Sequence, residues 1–344
     1  MRSPRPRRHR SPPMPGGFRF GGFLSGGLRG AASIIPSMFR PLLFAAVALG
    51  FLPSASRAQR HGFLSAIQPA PQPGTGALPR EVTDHFFLSS DGVRLHYLEA
   101  GPLDAHTLVF VPGWTMPAWI WMPQILGFSR RYHVVAFDPR GQGDSAIPAG
   151  GYEPVRRGRD VAELIAHLNG SPVVVVGWSL GVLDTLASIH VAGDRRLAGL
   201  VLVDNSVGEE PPPIYRPVPQ RRGRPPTHEA AMRQFVRAMF RHVPPRAYLD
   251  RLTEAALRTP ETASRLLLAY PEPRSYWREA VYATKVPLLY VIRPRWLAQG
   301  ENLVRNRPET EVDVFNDAGH ALFVDEPARF NSVTERFLQR FVWP

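Results

Sequence analysis

Gly177-Trp178-Ser179-Leu180-Gly181 is the stretch of this chain whose residue types and spacing could do covalent chemistry. Four β-branched residues, Val173 to Val176, run straight into it, and Leu180, Leu183, Leu186 and Ile189 leave it at helical spacing. A buried strand that turns through Gly-x-Ser-x-Gly into a helix is the nucleophile-elbow pattern. The spacing has a steric origin: so tight a turn strains the serine backbone and leaves no room for a β-carbon two residues to either side. The helix that begins there aims its unpaired N–H groups and positive dipole end at the serine oxygen. The competing reading is a strand-to-helix turn that carries a serine by chance.

Composition limits the other chemistries. The chain has 344 residues, 44% apolar and 20% charged, which fits a globular protein with a substantial core. It has no cysteine, so disulfides, thiolate metal sites and a cysteine nucleophile are excluded. The net charge of +12 suggests an anionic partner, but residues 1–58 hold nine Arg and no acid, which leaves 32 basic against 29 acidic groups, +3, in residues 59–344. The excess belongs to the N-terminal segment and not to the fold, so no nucleic-acid partner is expected. No phosphate loop or metal-ligand cluster stands out, and no cofactor is expected.

The elements around Ser179 must hold it in place. Val82 to Ser89 and Val93 to Glu99 read as strands joined by the turn Ser90-Asp91-Gly92. Thr107 to Val111 is a strand ending at Pro112-Gly113-Trp114, helical spacing runs from Trp119 to Phe128, and His133 to Phe137 is the next strand. A helix near Arg157–Leu168 precedes the elbow strand, and Leu200 to Val203 is a strand that ends at Asp204. Residues 287–292 and 311–315 read as strands, and Pro327 to Phe341 as a closing amphipathic helix. Strands alternating with helices specify an α/β class with a mostly parallel central sheet, the initial hairpin lying at one edge. Between Asp204 and Val286 the alternation stops. A Pro- and Arg-rich loop (Pro211 to Pro226, including Arg221, Arg222 and Arg224) is followed by helical patterns near Glu229–Phe240, Arg246–Leu257 and Glu261–Tyr270. The expected organisation is a first core part at 81–206, a helical cap at 207–272 inserted after the sixth strand, and a second core part at 273–344.

With these motifs in this order the chain resembles the α/β-hydrolase superfamily over roughly residues 82–342. The resemblance rests on Pro112-Gly113-Trp114, on Asp138-x-Arg140-Gly141-x-Gly143-x-Ser145, on the elbow, on the cap insertion, and on Asp317-Ala318-Gly319-His320 after the last strand. It implies that Ser179 is the nucleophile and that His320 is the general base that activates it, since a serine hydroxyl is a poor nucleophile unaided. It also implies an oxyanion hole made by the main-chain N–H groups of Leu180 and Trp114. Pro112 stands where many members have histidine, but a main-chain donor does not need that side chain. Trp114, Met116, Trp119 and Trp121 are candidates for an apolar pocket lining, with core packing as the alternative for Trp119 and Trp121.

The triad acid departs from the common pattern. Its usual place is the loop after the 287–292 strand, and that loop, Arg293 to Glu301, contains no Asp. Some members carry the acid after the strand that follows the elbow helix, where this chain has Asp204; Glu301 is the other candidate. Asp138 and Asp144 are expected to hold the Arg-Gly turn together. A serine at the elbow argues against epoxide hydrolase and dehalogenase chemistry, which the superfamily runs on a carboxylate. The implied activity is hydrolysis of a small or medium apolar carboxylic ester. C–C bond hydrolysis, perhydrolysis and a ligand-binding protein of low turnover are the alternatives.

The first 58 residues read as a leader. Pro41 to Leu52 is an apolar run, too short to span a bilayer, behind the basic Arg40 and ahead of Ser56-Arg57-Ala58, which together make a secretory-signal pattern. Met38 is a candidate true start. The expectation is export to the periplasm or medium after cleavage, with no stable membrane span remaining; an uncleaved membrane anchor is the alternative. Residues 59–80 read as a proline-rich linker.

Overall fold

Short β-branched and aliphatic runs separated by helical segments fold into one eight-stranded sheet in a computed structural model that describes residues 78–214 and 226–344. The leader, most of the linker and the Arg221–Arg224 part of the loop lie outside the described residues. The strands are β1 (Val82–Leu88), β2 (Arg94–Ala100), β3 (Thr107–Val111), β4 (His133–Asp138), β5 (Val173–Trp178), β6 (Leu197–Val203), β7 (Leu288–Ile292) and β8 (Thr310–Val314). Their order is β1-β2-β4-β3-β5-β6-β7-β8, and the pairs β1–β2 and β2–β4 are antiparallel while the rest are parallel. The helices are α1 (Met122–Phe128), α2 (Pro154–His167), α3 (Leu180–Ala192), α4 (His228–Ala238), α5 (Arg246–Leu257), α6 (Glu261–Leu266), α7 (Arg274–Ala283), α8 (Leu297–Asn306), α9 (Leu322–Asp325) and α10 (Pro327–Phe337).

Strand side chains alternate between two apolar layers, because successive β-carbons point to opposite faces. Leu108, Phe110, Val174, Val176, Val201 and Val203 join Ile125 of α1 and Phe330 of α10 on one face. Val109, Val111, Val173, Val175, Leu200 and Leu202 join α2, α3 and α7 on the other. Burial on both faces explains why the central strands read as unbroken Val and Leu runs and not as alternating ones.

The topology also assembles one rim. β3 and β5 pair directly with Val111 opposite Gly177, so the Pro112–Trp114 turn leaves the sheet beside the elbow. β5 and β6 pair with Trp178 opposite Val203, so Asp204 leaves beside Ser179. β6 and β7 pair with Val203 opposite Val291, which brings Arg293 next to Asp204. The chain order reverses between β3 and β5, and the crevice outside such a reversal is where open α/β sheets place ligands.

Helices α4–α6 occupy the chain between β6 and β7 and are bonded to this rim. The Trp114 indole donates to Ser264 O at 2.7 Å, the Thr259 hydroxyl to Gly141 O at 2.7 Å, and Ala321 N–H to Met239 O at 2.9 Å.

Three expectations need correction. The third helical pattern extends only to Leu266 and not to Tyr270, since Leu268 and Ala269 tighten into i→i+3 bonds ahead of Pro271 and Pro273. The segment read as a loop, 293–301, is instead a short turn at Pro294–Trp296 followed by α8, which buries Gln299, Gly300 and Leu303. Finally, α7 was not expected, although its buried Trp277, Ala280 and Val281 have helical spacing.

Candidate active site

Ser179 sits at the end of β5 with φ +54° and ψ −118°, a conformation strained for any residue with a side chain. The glycines around it are a steric requirement: a β-carbon on Gly177 would lie 2.5 Å from Gly181 O, and one on Gly181 would lie 2.3 Å from Val111 O. Two bonds fix the turn, Ser179 N–H to Val203 O at 2.9 Å and Asn205 Nδ2 to Ser179 O at 2.7 Å.

His320 reaches the serine from the far end of the sheet. Its Nε2 is 2.8 Å from Ser179 Oγ, and its Nδ1 is 2.7 Å from Asp204 Oδ2. A carboxylate can only accept, so Nδ1 carries the proton and Nε2 is left to accept from the serine hydroxyl. The histidine loop is held from three sides. Trp178 Nε1 donates to His320 O at 2.8 Å, Asp325 accepts Gly319 N–H at 2.6 Å, and the Trp178 ring packs against the imidazole at 5.1 Å. Burial pushes the His320 pKa below the usual histidine range; Asp204 opposes this, and the charges of Arg293 and Arg295 add to it.

The structure therefore brings together Ser179, His320 and Asp204. Glu301 is exposed on α8, and its carboxylate makes no hydrogen bond or ion pair among the described residues. Asp204 is buried, at φ +50°. Its carboxylate also accepts from Arg293, from the main-chain N–H at 3.1 Å and from Nε at 2.7 Å.

The Trp114 and Leu180 N–H groups flank Ser179 and have no protein acceptor among the described residues. Gln142, wholly buried, staples the turn that carries the first of them. Its Oε1 accepts Thr115 N–H at 2.9 Å, and its Nε2 donates to Gly113 O at 3.0 Å and to Met116 O at 3.1 Å. Arg293 and Gln142 were both missed in the sequence. Arg293 had a signal, since it directly follows the strand that neighbours Asp204; Gln142 had none beyond its place in the Arg-Gly turn.

The tryptophans divide between roles. Trp121 is core, stacked on Phe323 at 3.7 Å, while Trp119 is half-buried beneath Tyr248 and Arg251. Trp114, half-buried, meets Phe235 of α4 at 4.9 Å. Asp138 holds its turn as expected, accepting Ala118 N–H, Asp144 N–H and the His96 ring. His96, Asp138 and Asp144 could approach a cation together, but these donors already use the Asp138 oxygens.

Residues 108–333 match the alpha/beta hydrolase family. The chain belongs to that family. Among alpha/beta hydrolases it is 36% identical over 116 residues to a non-heme chloroperoxidase of Streptomyces lividans, a match covering 33% of this chain and 42% of that protein. It is 35% identical over 101 residues to a soluble epoxide hydrolase of Corynebacterium sp., covering 29% of this chain and 34% of the other. The chain thus spans less than half the length of these curated relatives. An esterase structure from Rhodococcus sp. ECU1013 superposes with a TM-score of 0.62 at 22% identity, covering 75% of this chain and 99% of that one, which establishes a shared alpha/beta hydrolase fold.

Proposed function

We propose that this alpha/beta hydrolase cleaves carboxylic esters through an acyl-enzyme on Ser179. The observation that carries the reading is the continuous chain Ser179 Oγ–His320 Nε2 at 2.8 Å and His320 Nδ1–Asp204 Oδ2 at 2.7 Å. Ser179 Oγ attacks the ester carbonyl carbon while its proton passes to His320 Nε2. The carbonyl oxygen becomes an oxyanion and takes the Trp114 and Leu180 N–H groups as donors. His320 then hands the proton to the departing alkoxide oxygen, the C–O bond breaks, and the acyl group stays on Ser179. A water gives a proton to the same nitrogen and attacks the acyl carbon; breakdown returns that proton to Ser179 and frees the acid. Asp204 keeps the ring in the working tautomer and balances its transient charge.

The substrate class is a small or medium apolar acyl ester, with α4–α6 serving as a cap. Met116, Met232 and Val236 are buried in the apolar layer under the rim, and Trp114 and Phe235 pack beside them, which supports an apolar acyl side. The absence of Asp from residues 293–301 favours a binding protein of low turnover, and Asp204 in contact with His320 weakens that alternative. Export rests on the leader sequence, and N-terminal sequencing of the mature chain tests it: retention of Phe44 and Leu49 would count against cleavage.

Hydrolysis of p-nitrophenyl esters of graded chain length, with wild type and Ser179→Ala side by side, tests the activity. Wild type turns over the short and medium esters and the mutant falls to background; activity surviving in the mutant would refute the assignment.

A further inference from the structure

We infer that Arg293 is a positioning residue that sets the acid limit of the site, by fixing the Asp204 carboxylate against His320 while placing its guanidinium beside the ring. This rests on the hydrolase reading given above. Arg293 is the first residue after β7, placed there by the Val203–Val291 register. Its main-chain N–H and Nε occupy both oxygens of the buried Asp204 carboxylate, at 3.1 and 2.7 Å, and its Nη2 lies 3.4 Å from His320 Nδ1. Nδ1 already donates its proton to Asp204 Oδ2, so the guanidinium and the ring present donors to each other. That contact is not a hydrogen bond. It is a cation held beside a ring that must stay neutral to act as a base.

A buried carboxylate alone would favour the imidazolium and move His320 toward protonation at higher pH. The guanidinium offsets this by sharing Oδ2 with the ring. Among the described residues, Arg293 alone bonds Asp204 and also touches His320. The other charges around the ring come from several elements. Arg295, on the turn after β7, adds its charge from further away. Asp317, in the histidine loop, is engaged by Arg241 and His242. Asp325 of α9 accepts the Gly319, Arg241 and His242 N–H groups.

The test is an NMR titration of the His320 ring in the full chain, the signal assigned by its loss in His320→Gln, for wild type, Arg293→Gln and Arg293→Lys. The wild-type midpoint is expected below 6.5. Arg293→Gln should raise it by about one pH unit, tenfold in the protonation constant, while Arg293→Lys, which keeps the charge, should stay within roughly 0.3 of wild type. The acid limb of ester kcat/KM should move by the same amount, with KM unchanged. An unmoved midpoint in Arg293→Gln, or a Lys variant that rises as far as the Gln variant, overturns the inference. Should Arg293→Gln not fold, the other two proteins decide: a wild-type midpoint at or above 6.5, or a raised Lys midpoint, overturns it. The titration needs no turnover, so absence of esterase activity would count against the proposed reaction and leave this result standing.

Discussion

Asp204→Asn changes one oxygen to an amide nitrogen and asks whether the acid after β6 serves the histidine. In the native site Oδ2 accepts from His320 Nδ1 and Arg293 Nε, both at 2.7 Å, and Oδ1 accepts from the Arg293 main chain at 3.1 Å. An asparagine cannot satisfy this arrangement. With its NH2 at the Oδ2 position it faces two donors, and the ring escapes only by moving its proton to Nε2, where it can no longer accept from Ser179. With its oxygen at Oδ2 the NH2 opposes the Arg293 main-chain N–H. Either way a buried donor faces a donor, costing about 1–3 kcal/mol of stability for the unmade bond. The catalytic cost is larger: both orientations lose the negative charge that balances the imidazolium, and the first also loses the working tautomer, a loss that in a Ser-His-Asp site is worth about 10⁴ in kcat, or roughly 5 kcal/mol at 1.36 kcal/mol per decade. The assay is steady-state and burst hydrolysis of a p-nitrophenyl ester by folded Asp204→Asn and Asp204→Ala, with Glu301→Gln as the control. The expected result is a loss of about three to four decades in kcat for both Asp204 variants, and a control indistinguishable from wild type. Asp204→Asn within tenfold of wild type would refute the reasoning, and so would a large loss in Glu301→Gln.

Three further outcomes follow from the same geometry. Gln142→Leu removes all three side-chain bonds that brace the Trp114 turn; since one oxyanion donor is worth about 10²–10³ in kcat, a displaced donor should lower kcat by tens- to hundreds-fold with KM little changed, and an unaltered kcat would detach the turn from catalysis. The acid limb of kcat/KM should lie below the 6.5 of an unperturbed histidine, because burial disfavours the charged ring and activity rises with pH as that ring loses its proton; a pH–rate profile with the limb above this value contradicts the described surroundings of His320. Gly181→Ala drives a β-carbon to 2.3 Å from Val111 O, so it should reach or exceed the upper end of the roughly 1–3 kcal/mol of overpacking, seen as a lowered Tm, and an unchanged Tm would mean the elbow is looser than described.

Much of the site was legible because the chemistry is tied to strand ends, and strand ends are marked in sequence. The Val173–Val176 run stops at Gly177, Leu200–Val203 at Asp204, and Thr107–Val111 at Pro112, so the rim could be read as a series of terminations. Parallel register then carried the inference into space. What stayed hidden depends on side chains crossing between elements. In sequence Arg293 opens a stretch without Asp, and its value as a partner of Asp204 emerges only once β6 and β7 are paired. Gln142 reaches across to the β3 turn, a contact with no local signature. The helix α8 was masked by Pro294 and Gly300, since proline served as its lead-in turn and glycine packs where a β-carbon would lie 3.1 Å from Ile292 and 3.2 Å from Val312. Nor does the sequence show that the Trp114 indole nitrogen donates to Ser264 O, a partner 150 residues away.

The most direct measurement of the central claim is mass mapping of the full chain after treatment with a fluorophosphonate, which phosphonylates only a serine made nucleophilic by a neighbouring base. One adduct is predicted, on the peptide carrying Ser179, abolished by Ser179→Ala and slowed by orders of magnitude in His320→Gln. No adduct in wild type, or one that forms at the same rate without His320, would contradict the account.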